Sequence, residues 1–578
     1  MKNLKFIFLQ STLVFILHLI TLTTYAQTSD WLWAKSAGGN DDDMGTAITT
    51  DLNGNVYVTG GFLSETISFG STTLRNVIDA NGEGGEDMFI VKYAASGTVL
   101  WAKSFGGTAS IGINEDLGVS IAADGTGNVY VLGGFSSDSI VFGTTTLKPR
   151  FQGGDMFIVK FDANGNVLWA KGADGGDCQG LVGYSITTDR IGNIFVTGFF
   201  GYDSVRFGKT TLVNHGDGNI FIVKYDPNGN VLWAKTTGDG ESYQNEGKSV
   251  ITDSVGNVYI TGSFQSDEIS FGTTKLIKAV PNTNQNDMFL VKYDPDGNVI
   301  WATGTGEDSL DDGYGNSITL DRKGNIYVLG GFESNTINFG TTTLNNSDNE
   351  ELFLVKYDPN GNILWAKGAS GTGGDNSGMS IEADHSGFIY LTGSFSSHSL
   401  TFGTTTLYHA DASGYYSDLF LVKCDTGGNV LWAQSDGGND DDGSNCVTTD
   451  RNGNVYITGF YRSSSISFGT TTLNQFYTGT DAMFAAKVNH HNAGIEEASD
   501  ENMFHIFPNP SKGSFQVSVP GFDEFKIKIY TVSGACIYQS VINGQQSEIN
   551  LSTYPKGIYF YRLQNESTGL KTGKIIIE

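Results

Sequence analysis

The chain has 578 residues and a formal net charge of −28, from 34 Lys and Arg against 62 Asp and Glu. That balance argues against binding nucleic acid or anionic lipid, both of which need patches of Lys and Arg. The four cysteines, Cys178, Cys424, Cys446 and Cys536, show no metal-ligand spacing. A chain this long can bury a core without disulfides, so none is expected.

Residues 1–26 read as a signal peptide. Lys2 and Lys5 give a basic start, Phe6 to Leu22 is largely apolar, and Thr24-Tyr-Ala26 ends in a small residue. A transmembrane anchor is the competing reading, but Gln10, Ser11, Thr12 and His18 interrupt the run. No other stretch is apolar enough to span a membrane. Loss of Lys2 and Lys5 with the leader takes the net charge to −30.

From residue 27 to about 489 the chain repeats itself. One stretch, Asp155-Met-Phe-Ile-Val-Lys-Phe-Asp-Ala-Asn-Gly-Asn-Val-Leu-Trp-Ala-Lys171, sets the pattern. Its apolar, β-branched and aromatic runs predict two strands. The Asp-x-x-Gly-Asn between them predicts a hairpin turn, with Gly where φ must be positive. Phe-Ile-Val and Val-Leu-Trp do not alternate with polar residues, which predicts burial on both faces.

The tryptophan recurs as Trp33, Trp101, Trp169, Trp233, Trp301, Trp365 and Trp432, at intervals of 64 to 68 residues. A Lys closes the apolar run at Lys92, Lys160, Lys224, Lys292, Lys356, Lys423 and Lys487. A Phe-Gly followed by a Thr-rich run begins at Phe69, Phe142, Phe207, Phe271, Phe339, Phe402 and Phe468. A second Asp-x-x-Gly turn begins at Asp51, Asp124, Asp189, Asp253, Asp321, Asp384 and Asp450. Four markers in one fixed order define seven repeats.

Each repeat reads as four strands, A to D, with a short ribbon in the B–C connection. The expected fold is all-β: a seven-bladed β-propeller followed by a small β-sandwich. A β-solenoid is the runner-up. The last repeat lacks a strand D, and a spare one stands at the N-terminus, Trp31-Leu-Trp-Ala-Lys35. The N-terminal strand is therefore expected to complete the last blade, which removes an exposed edge.

Residues 490–502 form a polar linker carrying Glu496, Glu497, Asp500 and Glu501. The repeat then stops, and residues 503–578 alternate strand-like runs with Pro/Gly turns, as a small all-β domain would. From Ser499 onward seven acids balance seven bases, so the excess negative charge belongs to the repeats and linker.

The A–B and C–D turns are tight and uniform and look structural. The B–C and D–A connections are longer and vary, which makes their face the expected binding face. An acidic step recurs just before strand A: Asp42 and Asp43, Glu115 and Asp116, Asp177, Glu246, Asp311 and Asp312, Asp375, and Asp441 and Asp442. In a closed ring these would form a crown of carboxylates, suited to weak calcium sites because calcium takes six to eight oxygen ligands. The competing reading is a solvated acidic surface. The histidines share no repeat position, and no nucleophile elbow, zinc signature or phosphate loop is present. The repeated Trp suits blade-to-blade packing better than sugar stacking.

The unit Asp-x-x-Gly-Asn-Val-Tyr-Val-Thr-Gly, then Asp-Met-Phe-Ile-Val-Lys-Tyr-Asp-x-x-Gly-Asn-Val-Leu-Trp-Ala-Lys, resembles the SBBP family of bacterial β-propeller repeats. That resemblance implies the fold and an extracellular setting. The C-terminal region is similar to the type A sorting domain of the type IX (Por) secretion system of Bacteroidetes. The matching residues are Phe507, Pro508, Asn509, Pro510 and Gly513, then Gly534, then Gly557 and Tyr559. The resemblance implies passage through the periplasm, contact with the type IX machinery through residues 503–578, and removal of the domain near the 490–502 linker.

The expected product is a secreted or surface-displayed, non-catalytic binding or adhesion module for an extracellular glycan or protein. The alternative is a secreted hydrolase or lyase acting on polysaccharide from the B–C/D–A loop face. A passive coat protein is a third class. No cofactor is expected, calcium excepted.

Overall fold

The computed structural model describes residues 30–489 and 505–577, apart from the short segments 79–83, 110–113, 150–153, 174, 177–179, 202–203, 215–217, 238–244, 279, 282, 284, 306–311, 347–348, 412–414, 508–510, 519–523, 532–534, 544–545 and 566–568. The leader and the linker lie outside the described residues, as do Asp177, Asp311, Pro508, Asn509, Pro510 and Gly534. The chain divides into two units, Met1–His490 and His491–Glu578. Among the described residues no helix is long and apolar enough to cross a membrane.

The first unit is built of four-stranded antiparallel sheets, seven among the described residues. The first of them runs Asp43–Thr50, Val56–Phe62, Asp87–Tyr93, Val99–Phe105 in sequence order. Between the second and third strands stands the short ribbon of Thr66–Phe69 and Thr72–Arg75, with Phe69 and Ile67 buried beneath it. In the last sheet the order is Asp30–Ala37, Ala482–Asn489, Val455–Tyr461, Asp442–Thr449, so the N-terminal strand supplies the fourth strand.

The third strands are buried along their whole length, as their apolar runs predict. The fourth strands are not. Leu100, Leu168, Leu232, Ile300 and Leu364 each remain about half exposed. Burial on both faces is therefore corrected for Val-Leu-Trp: the fourth strand is the outer edge of its sheet, and only its Val and Trp face a neighbour.

The repeated Trp and Lys turn out to be one device. Trp101 Nε1 and Lys92 Nζ both donate to the carbonyl of Ala163, in the C–D turn of the next sheet, at 3.2 and 3.0 Å. Trp169 and Lys160 grip Pro227 in the same way, and Trp233 and Lys224 grip Pro295. Trp33 and Lys487 of the last sheet grip Ala95 of the first. The turn glycine permits this: Gly97 has φ +80°, a conformation closed to most side chains, and a Cβ there would stand 2.9 Å from the Trp33 ring. Each lysine also lies over a ring of its own second strand, as Lys92 does over Tyr57 at 4.9 Å.

The Asp-x-x-Gly turns close on their own aspartate. Asp51 Oδ1 accepts from the backbone N–H groups of Asn53 and Asn55, and Oδ2 from Asn55 Nδ2 and Tyr57 OH. Both oxygens are used in holding an Asx turn.

In the second unit, His505–Phe507, Ser514–Ser518 and Gln546–Asn550 form one sheet. Cys536–Asn543, Glu524–Thr531, Gly557–Asn565 and Gly569–Ile577 form the other. Phe515, Val517 and Ile549 of the first share one apolar cluster with Ile527, Ile529, Tyr559, Ile575 and Ile577 of the second.

Candidate functional site

The first strands are where neighbouring sheets meet most closely. Each carries a β-bulge at one place: between Gly45 and Ala47, Gly118 and Ser120, Gly183 and Ser185, Gly247 and Ser249, Gly315 and Ser317, Gly378 and Ser380, and Ser444 and Cys446. The residue after the bulge is a small linker to the next sheet. Ser120 Oγ accepts the Ile186 N–H, Ser185 that of Val250, Ser249 that of Ile318, Ser317 that of Ile381 and Ser380 that of Val447. Cys446 Sγ reaches Ile48 O, and Asn445 Nδ2 reaches Gly45 O, from the last sheet to the first.

The bulged residue itself is turned out of the ladder, and its type varies: Thr46, Val119, Tyr184, Lys248, Asn316, Met379 and Asn445. Around these lie two polar clusters. Tyr184 OH donates to Glu246 Oε1 at 2.7 Å, and Lys248 Nζ pairs with Glu246 Oε2 at 2.7 Å while lying 4.1 Å from the Tyr184 ring centre. Tyr314 OH and Ser377 Oγ both donate to Glu350 Oε1. Both tyrosine hydroxyls are held neutral, first by burial and then by the adjacent glutamate.

The structure divides the acidic step into two kinds of residue. The first kind clasps the preceding sheet: Asp312 Oδ1 accepts from Asn286 N, Asp441 Oδ1 from Ser417 N and Oγ, and Asp42 Oδ1 from Asp481 N. Glu115 and Asp375 stand at the same place, each in a parallel bridge, with Glu86 and Glu350 respectively. The second kind is buried at the start of the first strand and holds its own B–C connection. Asp43 accepts from Ser64 N and Oγ, Asp116 from Ser136 N and Ser137 N, and Asp442 from Ser463 N and Oγ. Asn245 and Asn376 do this work on Ser266 and Ser397 in two other sheets. The predicted pair Asp311 and Asp312 is one residue out of step with Asp42 and Asp43, since Gly313 opens that strand. Glu246, the remaining residue of the step among those described, belongs to the tyrosine cluster.

Sequence reasoning missed Glu86 and Glu350. Their signal is weak: a glutamate immediately before the third strand in two sheets, where others carry Gly154, Asn286, Ser417 and Asp481. Burial, with Glu115, Asp116, Asp43 and Asp42 nearby, pushes the Glu86 carboxyl up to about 7. Among the described residues no group of three or more His, Cys, Asp or Glu stands together as a metal cage.

Burial also outweighs the serine hydrogen bonds at Asp43 and Asp442 and pushes both carboxyls up to about 7; Asp116 is raised for the same reason. These groups keep a proton in the fold that the unfolded chain loses near pH 4. Their contribution is full below that pH and declines as pH rises toward 7. The triple variant Asp43→Asn, Asp116→Asn, Asp442→Asn copies what Asn245 and Asn376 already do. It should fold, match the parent's melting temperature at pH 5, and fall less than the parent between pH 5 and pH 8. Parallel melting curves for the two proteins would exclude the carboxyls as the cause.

The sorting residues fall in the second unit. Gly513 has φ +100°, and a Cβ there would lie 2.5 Å from Ser552 Cα, so only glycine fits. Gly557 opens the strand Gly557–Asn565, and Tyr559 is buried with its OH on Pro555 O at 2.6 Å. Phe507 ends the strand His505–Phe507.

Residues 505–578 match the secretion system C-terminal sorting domain family, and residues 32–60 match the β-propeller repeat family. The chain thus carries a β-propeller repeat and a C-terminal sorting domain, and that domain implies export by type IX secretion, with release or attachment at the cell surface. An uncharacterized WD repeat-containing protein of Acanthamoeba polyphaga mimivirus is 26% identical over 76% of this chain; the chain spans 36% of that relative. An endo-acting ulvan lyase of Formosa agariphila is 30% identical over 74 residues, 13% of this chain and 14% of the lyase. Among solved structures, the extracellular domain of a one-component system of B. thetaiotaomicron aligns over 96% of this chain and 100% of its own at 10% identity, TM-score 0.26. Sqt1 from Chaetomium thermophilum aligns over 80% and 98% at 9% identity, TM-score 0.35. Likenesses at these scores say nothing of function.

Proposed function

We propose that the seven sheets close into a seven-bladed β-propeller, with the N-terminal strand completing the last blade, and that this ring works outside the cell as a non-catalytic binding module. Residues 1–26 carry the chain to the periplasm, 503–578 carry it across the outer membrane, and 490–502 is where the tail is removed. The ligand, a glycan or a protein surface, sits where the first strands begin.

One observation carries the choice of face. The bulge positions sit between a residue that is glycine in all but the last sheet, where it is Ser444, and a small linker residue. Yet they themselves hold Thr, Val, Tyr, Lys, Asn and Met. Bulges re-aim side chains, and variation within an otherwise uniform repeat is how such a ring acquires a particular ligand. Among the acids of the step, Asp42, Asp43, Asp116, Asp312, Asp441 and Asp442 are engaged in clasping loops and neighbouring sheets. Of the bulge residues, Thr46, Asn316 and Asn445 likewise reach the next sheet's backbone, which leaves Val119, Tyr184, Lys248 and Met379 as the more individual ones.

The test is affinity electrophoresis of the full chain in gels containing neutral or acidic polysaccharides, with and without millimolar calcium. Retardation by a neutral polysaccharide is expected, because a net charge of −28 repels acidic ones. Tyr184→Ala and Met379→Ala should each abolish it. New chain ends appearing in the polysaccharide would replace this reading with the enzymatic one. Retardation that survives both substitutions would move the site elsewhere.

A further inference from the structure

Because the interfaces between sheets are near copies, a departure from the pattern is conspicuous. The last residue of the third strand is Tyr93, Phe161, Tyr225, Tyr293 and Tyr357 in the first five sheets, all buried. Each ring packs toward the preceding sheet. Tyr93 lies 6.1 Å from the Trp33 ring, and Phe161 lies 5.6 Å from Phe105. In the sixth sheet the same register position, opposite Val430, is Cys424, and in the seventh, opposite Trp31, it is Val488.

The surroundings of Cys424 keep the repeat's pattern. Leu352 and Leu354 on the third strand of the fifth sheet, and Leu391 and Phe402 of the sixth, stand where their counterparts stand elsewhere. The ring alone is missing, and Ala369, in the same cluster, is too small to replace it. A cavity of about 460 Å³ opens between the two sheets, with Lys367 and Asn429, hydrogen-bonded at 3.1 Å, at its rim.

We infer that this cavity binds a small, planar aromatic molecule of phenol size, whose ring takes the place held by a tyrosine or phenylalanine ring at the equivalent interfaces. Leu352, Leu354, Leu391, Phe402 and Val430 make its inner walls mainly apolar, while Thr404, Lys367 and Asn429 add polar groups, a lining that suits an aromatic ring carrying one hydroxyl. The volume falls in the range of small-molecule pockets. Burial pushes the Cys424 thiol up to about 12, so it stays protonated and the inner walls carry no charge at neutral pH. Binding is therefore non-covalent, and the rim Lys367 and Asn429 offer a partner to the hydroxyl. The site is separate from the first-strand surface and does not depend on what that surface binds.

The experiment is saturation-transfer NMR on the full chain with p-cresol, a tyrosine side chain detached from its backbone. The parent should give a saturable signal. Cys424→Tyr restores the repeat's own residue, and Ala369→Phe copies the Phe105 arrangement; each should weaken binding about tenfold or more by filling the space. Cys424→Tyr should also melt at a higher temperature than the parent, because a filled cavity stabilises. Absence of a saturable signal in the parent, or an equal signal in parent and folded variant, would overturn the assignment.

Discussion

Removal of the N-terminal strand Asp30–Ala37 is expected to abolish cooperative folding of the repeat unit and drive it to aggregate. The strand pairs with Ala482–Asn489 from Asp30↔Asn489 to Ala37↔Met483. Without it, a strand buried along nearly its whole length becomes an exposed edge, an open template for another chain. Trp33 goes with it, together with its hydrogen bond to Ala95 O and its packing on Tyr93 and Tyr456. Trp33→Ala alone should cost about 3–5 kcal/mol. Leu32→Ala, one residue away but half exposed, should fall within about 0.5 kcal/mol of the parent. Thermal unfolding and size-exclusion chromatography of the three variants would decide the matter. An unchanged melting temperature in the deletion would mean that the last sheet does not rely on the first strand, and the closed ring would be wrong.

A chain ending at residue 504 is expected to be made and folded but to remain inside a host that has the type IX machinery. The tail has its own apolar cluster, from Phe515 to Ile577, and constitutes a unit distinct from the repeats. Its loss therefore removes the address and leaves the repeats intact. The measurement is the share of protein in periplasm and medium, with the melting temperature of the trapped protein as a control for folding. Gly513→Ala should act in the same direction, because a Cβ has no room against Ser552 and φ +100° is a glycine conformation. Normal release of the truncated chain would exclude the tail as the export signal.

The repeat architecture was legible because it rests on local chemistry. Asp-x-x-Gly-Asn dictates its turn through bonds spanning four residues, as between Asp51 and Asn55. Apolar runs such as Met156 to Phe161 dictate buried strands whatever surrounds them. Seven copies of the same local rule then left few folds to consider. The tail was legible for the same reason, through glycines and short strands in a fixed order.

The candidate sites were not legible, because they arise between residues some 60 to 70 positions apart. Lys92 finds Ala163 across 71 residues, and Tyr184 finds Glu246 across 62. From the sequence, Asp42 and Asp43 were two adjacent acids. The structure turns one toward the neighbouring sheet and buries the other under its own loop, because consecutive residues at a strand's start point to opposite sides. Leu100 and Met156 both sit in apolar runs, yet sheet position leaves one half exposed and the other buried. Cys424 read as an unremarkable free thiol. Only the alignment of the sheets in space makes it a place where a ring is missing beside an open cavity. The sequence by itself determined the strands, the turns and their repetition, since each is encoded within a few residues, and it carried the resemblance of the tail to a sorting domain. The partners of each acid, the direction of each bulge and the cavity beside Cys424 were decided by the tertiary structure, since each depends on which repeat lies next to which.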